Sequence, residues 1–385
     1  MSITYITETE PPIYWHSLGV LLGHRMISGE IGLEIECEGN SFRKGSLPKP
    51  WRYVEDHSLR GDDNAEYVFD GPQKFSDVPD SLTDLWSMFE NDGTVLDDSN
   101  RTSVHVHMNA QSWHLNRLAT FCALFFSVED VLAEWCGDHR VGNLFCLRAS
   151  DAPAIVWELK KFLKAEGYYS INDHYHYGGL NLHALMKYGS IEVRTMRGAP
   201  DPTLIQRWVN ILEHMYHLSG EIKDPRDVPG MFSANGPDSY IRKVIGPEYS
   251  AIRGDIAMSD YEIREKTYKS IRLAQDICYC LDWDKYAPAD ESKDPFRRTP
   301  INKYWSDDIS PYEVSPYPPT STANTLLQTQ TLSWTPTVLT EEEYIAAINQ
   351  LTSIASANQS SPVPTVEQVS EGPLDDLEWE ATPPY

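Results

Sequence analysis

Four short runs in this chain place polar or ionisable side chains two residues apart inside otherwise apolar stretches, which is the period of a β-strand. A strand turns successive side chains to opposite faces. In Gly32-Leu33-Glu34-Ile35-Glu36 the two carboxylates therefore share one face, while Leu33 and Ile35 go to the core. Val104-His105-Val106-His107-Met108 does the same with two imidazoles. Ile191-Glu192-Val193-Arg194, followed by Arg197, sets a carboxylate and guanidinium groups together, and Gly179-Leu180-Asn181-Leu182-His183 presents Asn181 and His183 alike. Taken singly, each run also fits an amphipathic strand with its polar face in water, and Glu192 with Arg194 fits a surface ion pair worth little. A solvated face usually draws on Lys, Thr and Ser; these faces jointly offer Glu, Glu, His, His, Asn, Glu and Arg.

Around these runs, further strands are expected over Glu30–Glu38, Trp51–Glu55, Ala65–Phe69, Thr102–Asn109, Gly179–Met186 and Ser190–Arg197. Lys187-Tyr188-Gly189 reads as a hairpin turn between the last two. Helical periodicity marks Ser81–Glu90, Asn116–Trp135, Ala152–Ala165 and Ser259–Leu281. A further helix starts at Asp201-Pro202, an N-cap followed by a proline at the first helical position. The strands do not alternate regularly with crossover helices, so the expected fold is α+β: a largely antiparallel sheet with helices packed on one side.

Charge divides the chain. The net charge is −25, yet no Lys or Arg follows Lys303, and 13 of the 26 prolines lie from Pro288 onward. The expected organisation is an N-terminal segment 1–29, a catalytic domain 30–285 and an acidic Pro/Ser/Thr-rich tail 286–385, largely extended with a short helix near 341–351. The acidic balance argues against an electrostatic grip on nucleic acid. The tail is a candidate surface for a protein partner. No apolar run reaches membrane-spanning length, the N-terminus does not read as a secretory signal, and the six cysteines form no C-x-x-C pair, so buried reduced thiols in a cytoplasmic protein are expected.

The polar faces suit hard cations, which take carboxylate oxygens and bind together with substrate phosphates. No P-loop, Rossmann fingerprint or nucleophile elbow is present. A metal-dependent hydrolase also fits an H-x-H pair, although zinc would want a third ligand and an open position.

The order of motifs resembles the amidoligase family, carboxylate–amine ligases of bacteria and phages with a glutamate–cysteine ligase-like fold. The matching pieces are Gly32–Glu36, Asp56-His57-Ser58, Glu66-Tyr67-Val68, Ser103–His107, Arg140–Asn143 with Phe145-Cys146, Leu180–Leu182, and Ile191–Arg194 with Arg197-Gly198. The resemblance implies a bent sheet whose concave face holds ATP and Mg²⁺. It implies a metal shell of Glu34, Glu36, Glu66, His105 and Glu192. It puts Asp56 near metal or amine, with Asp56 or Glu66 as the base, and makes Arg194, Arg197 and Arg140 contacts to phosphate or the substrate carboxylate. Asn181 and His107 become supporting or nucleotide contacts. Two departures fall where substrate would approach: Asp56-His57-Ser58 stands for Asp-Gly-Ser, and Asp70-Gly71-Pro72 replaces a Ser-Pro. The implied reaction joins a carboxylate to an amine through an acyl phosphate. A non-catalytic virion or adaptor protein that keeps the fold is the other reading.

Overall fold

Alternation of apolar and polar residues becomes a sheet with one apolar and one polar face in the computed structural model, which describes residues 16–59, 63–198 and 201–286. The strands are β1 (Ile31–Asn40), β2 (Trp51–Val54), β3 (Asn64–Phe69), β4 (Val95–Leu96), β5 (Ser103–Asn109), β6 (Leu180–Asn181) and β7 (Ser190–Arg197). Among the described residues they form one bent sheet in the order β2-β3-β1-β5-β7-β6, with β4 paired to β1. Every pairing between these strands is antiparallel. The α+β expectation holds.

Leu33, Ile35, Val104, Val106, Ile191, Val193 and Met196 are at most 1% exposed and line the core side of the three central strands. The helices that cover them are α1 (Leu18–Leu21), α2 (Val78–Asp92), α3 (Leu115–Cys136), α4 (Ala154–Lys164), α5 (Ala184–Tyr188), α6 (Pro202–Glu221), α7 (Asp227–Ile245), α8 (Tyr249–Asp255) and α9 (Asp260–Cys278). The expected single apolar stripe understates α3. It is apolar on nearly all sides because α6, α7, α9 and β7 pack around it.

The N-cap expected at Asp201 forms: its side chain accepts from the Thr203 N–H to open α6. The helix expected from Ser259 opens on a reciprocal capping box of Ser259 with Glu262. Elsewhere the chain departs from expectation. The strand expected over Gly179–Met186 ends at Asn181, and α5 replaces the hairpin turn before β7. The region 225–255, for which no element was expected, holds α7 and α8; α7 is broken at Gly236, whose φ of 72° and ψ of 170° suit glycine, with Pro237 next.

Residues 16–29 attach to the sheet domain: the Leu18 N–H donates to Trp113 O at 2.7 Å, and Asn109 Nδ2 donates to the carbonyls of Ile27 and Gly29. All six cysteines are free, and five of them are buried. Among the described residues no helix is long and apolar enough to cross a membrane. The acidic tail beyond Tyr286 and the helix expected near 341–351 lie outside the described residues.

Candidate active site

Register decides which polar side chains meet. Glu36 on β1 pairs directly with Glu66 on β3, and Glu34 pairs with His105 on β5. His107 pairs with Gly32 on one side and with Glu192 on the other, and Glu192 pairs in turn with Asn181. Because side chains alternate, these residues all project from the face opposite Leu33 and Val106.

A β-bulge completes the row. Val104 pairs with Met196 but Val106 pairs with Val193, so β7 carries one extra residue opposite His105. The bulge keeps Val193 and Met196 in the core although they are three apart. It leaves Glu192 and Arg194 on the polar face and lets Arg197, opposite Ser103, join them. Bulged residues lose ladder partners for their carbonyls, and Arg140 supplies them. Its Nε donates to Thr195 O at 2.9 Å and a terminal nitrogen donates to Arg194 O at 2.6 Å. Arg140 is 2% exposed. The structure thus commits the guanidinium expected at phosphate to the backbone that aims Arg194.

The centre of the face is a network of buried charge. His105 Nδ1 lies 3.1 Å from Glu34 Oε2 and 3.4 Å from Glu192 Oε1. His107 Nε2 lies 3.1 Å from Glu34 Oε1 and 3.9 Å from Glu192 Oε2. Arg194 donates to Glu192 Oε1, and Asn181 Nδ2 donates to Glu192 Oε2 at 2.6 Å. Burial alone pushes the Glu34 carboxyl up, but His107 and His105 outweigh it and hold the group well below the usual carboxylate range. Burial acts the same way on Glu192, and Arg194, His107 and His105 bring it below its ordinary value.

Glu34, His107 and Glu192 each offer a ligand atom within 4.8 Å of the others. Two ionised carboxylates and one imidazole are a donor set that a hard divalent cation accepts, so the residues fit the metal the sequence implied. The trio includes His107, which the motif comparison assigned a supporting role. The H-x-H spacing puts both imidazoles on the face; only the pairing register shows how each is seated.

Glu36, Glu66 and Asp56 form a second arm. Burial first, and then the charges of Glu34, Glu36 and Asp56, raise the Glu66 carboxyl to about 9. Like charges directly opposite on neighbouring strands repel, which makes this arm receptive to a cation. Asp56 holds itself in a local turn, accepting from the Ser58 N–H and hydroxyl at 2.8 and 2.9 Å. Arg197 packs beside Gly137 at the end of α3. His183, expected beside Asn181, instead turns to Ile171 O and Asp173 because the strand stops and α5 begins.

Two positioning residues had no role in the sequence reading. The Ser103 N–H and hydroxyl both donate to Glu36 Oε2, at 2.8 and 2.7 Å, and the same hydroxyl lies 2.7 Å from His105 Nε2. Ser190 Oγ lies 3.1 Å from His107 Nδ1. Such contacts to the far side of a ligand fix its orientation. The available signal was parity: Ser103 shares the phase of His105 and His107, and Ser190 that of Glu192.

No curated protein gives a significant match to the sequence. A family model described as "Putative amidoligase enzyme" matches residues 72–215. That range contains β5, β6 and β7 with His105, His107, Asn181, Glu192, Arg194 and Arg197; β1 and β3, with Glu34, Glu36 and Glu66, precede it. Residues 72–215 are thus similar to a family described as putative amidoligase enzymes, the family that the order of motifs resembles.

Proposed function

We propose that this protein uses ATP and Mg²⁺ to join a carboxylate to an amine through an acyl phosphate. The single observation that carries the reading is the convergence of Glu34, His107 and Glu192 beside Arg194 on one sheet face. A cation held there would neutralise phosphate charge and polarise the transferring phosphoryl group.

The chain's own residues do the rest by position. Glu34, Glu192 and His107 are the primary ligands, and Glu36, Glu66 and His105 extend the shell toward β3. Asn181 and Arg194 pin the two oxygens of Glu192, and Ser103 pins one oxygen of Glu36. Arg194 and Arg197 face the phosphates from the β7 side. In the first step a substrate carboxylate oxygen bonds to the γ-phosphorus as the bond to the β-bridging oxygen breaks and ADP leaves. In the second step the amine nitrogen bonds to the carbonyl carbon and phosphate departs with the former carboxylate oxygen. The proton shed by the amine passes to Asp56, since burial and its acidic neighbours keep the Glu66 carboxyl protonated at neutral pH.

The test is incubation with ATP, Mg²⁺, hydroxylamine and a pool of carboxylic acids. Hydroxamate and ADP are expected in equal amounts from the wild type, and both are expected to fall to background in Glu36→Ala. A wild type that releases no ADP with any acid, while binding ATP poorly, contradicts the reading.

A further inference from the structure

One cleft lies against the polar face on the His107 side. It is shallow and open, its roughly 330 Å³ of empty space including open solvent, and its lining is Ile27, Gly32, Pro72, His107, Asn109, Tyr188 and Ser190. Beside it Gly29 approaches Pro72 closely: a Cβ on Gly29 would stand 2.4 Å from Pro72 O. Ile27, Pro72, Gly32 and the Tyr188 ring give it apolar walls.

The polar groups in the lining are already engaged within the protein. Asn109 Nδ2 donates to Ile27 O and Gly29 O, and its Oδ1 accepts from the Gln111 N–H at 3.1 Å. Ser190 Oγ is held by His107 Nδ1, and His107 Nε2 faces Glu34. Tyr188 stands edge-on to His107 and is approached by Lys187. A polar ligand arm placed here would lose its hydration and find these side chains occupied. An apolar arm would lose nothing and bury its surface.

The two ends of the face differ correspondingly. The Glu36–Glu66–Asp56 end attracts a cation and so suits the amine. The His107 end combines the cation-binding trio with an uncharged cleft and so suits an acid whose carboxylate reaches the cation that the trio would hold.

We infer that the acid substrate is amphiphilic: its carboxylate would meet the cation that Glu34, His107 and Glu192 would hold, while an uncharged aliphatic or aryl arm lies in the cleft walled by Ile27, Pro72 and Tyr188. This rests on the ligase reading for the chemistry, but the cleft is testable without it.

The experiment uses the full chain with Mg²⁺ and two unbranched acid series, one ending in methyl and one in a second carboxylate. Binding is measured by titration calorimetry and turnover by the hydroxamate assay. For the methyl series, affinity and kcat/KM are expected to rise about fourfold per methylene until the cleft is filled, with no rise for the diacids. Ile27→Asp, at a half-exposed wall position, is expected to weaken octanoate binding about tenfold and leave propionate unchanged. Ile27→Trp is expected to move the optimum to shorter acids. A flat chain-length profile with active turnover overturns the cleft assignment and leaves the ligase standing. Chain-length-dependent binding that Ile27→Asp removes, without turnover of any acid, supports the cleft and rejects the ligase. Displacement of octanoate by adenosine assigns the cleft to a nucleobase and overturns the inference.

Discussion

Glu192→Gln is expected to lower Mn²⁺ affinity at least about 100-fold and hydroxamate formation about a thousandfold. The substitution keeps the volume and removes the charge, and it fails for a geometric reason as well. One carboxylate oxygen of Glu192 accepts from Arg194 and the other from Asn181. Both neighbours are donors at those contacts, so a glutamine amide must turn its NH₂ group against one of them in either orientation. The cation-binding trio loses an anionic ligand, and Arg194 loses the partner that aims it. Glu158 is the control. It is 4% exposed and bonded to Lys161 and Tyr169 on the helical side, so Glu158→Gln is expected to change neither Mn²⁺ affinity nor turnover. Mn²⁺ titration followed by electron paramagnetic resonance separates the two variants. Equal affinity in wild type and Glu192→Gln would remove Glu192 from the metal site.

The second large effect lies away from the sheet face. Glu129 on α3 is 2% exposed; one carboxyl oxygen accepts from the Ala149 N–H, and the other has no hydrogen-bond partner among the described residues. Burial raises the group from an ordinary value of 4.5 to about 8, with the backbone contact to Ala149 opposing. An unfolded Glu129 loses its proton near pH 4.5, whereas the folded one keeps it to about pH 8. Between those values folding takes up a proton, so stability falls as pH rises and levels off above about pH 8. Glu129→Gln cannot ionise. It should match the wild type in stability below pH 4.5 and exceed it by on the order of 4 kcal/mol near pH 8. Chemical denaturation across that range measures the difference. Parallel curves at every pH would show that Glu129 ionises as readily in the fold as outside it.

The legible part of the fold was the alternating part. Leu33 with Ile35, Val104 with Val106 and Ile191 with Val193 announce strands because their period is two. Asp201-Pro202 announces a helix start because a cap is a local hydrogen bond. What failed depended on distant partners. Gly179–Met186 has strand-like composition, but its pairing with β7 extends only to Asn181. The α7–α8 region lacked one clean period because Gly236-Pro237 interrupts it.

The site divides along the same line. Face membership of Glu34, Glu36, His105, His107, Glu192 and Arg194 follows from parity within each strand. Distances between them follow from register between strands, which a single sequence does not specify. Hence His107 entered the trio, and Arg140 proved to hold the bulge. Val193 and Met196, three apart and both in the core, were the one trace of that bulge in the sequence.

Oxygen labelling reaches the central claim most directly. With the acid pool carrying ¹⁸O in its carboxylates, and with ATP, Mg²⁺ and hydroxylamine present, the phosphate released by the wild-type protein should carry one ¹⁸O for each hydroxamate formed. That label can arrive only if the carboxylate oxygen was bonded to the γ-phosphorus. Hydroxamate accompanied by unlabelled phosphate would contradict the acyl-phosphate ligase, and so would phosphate release that no acid stimulates.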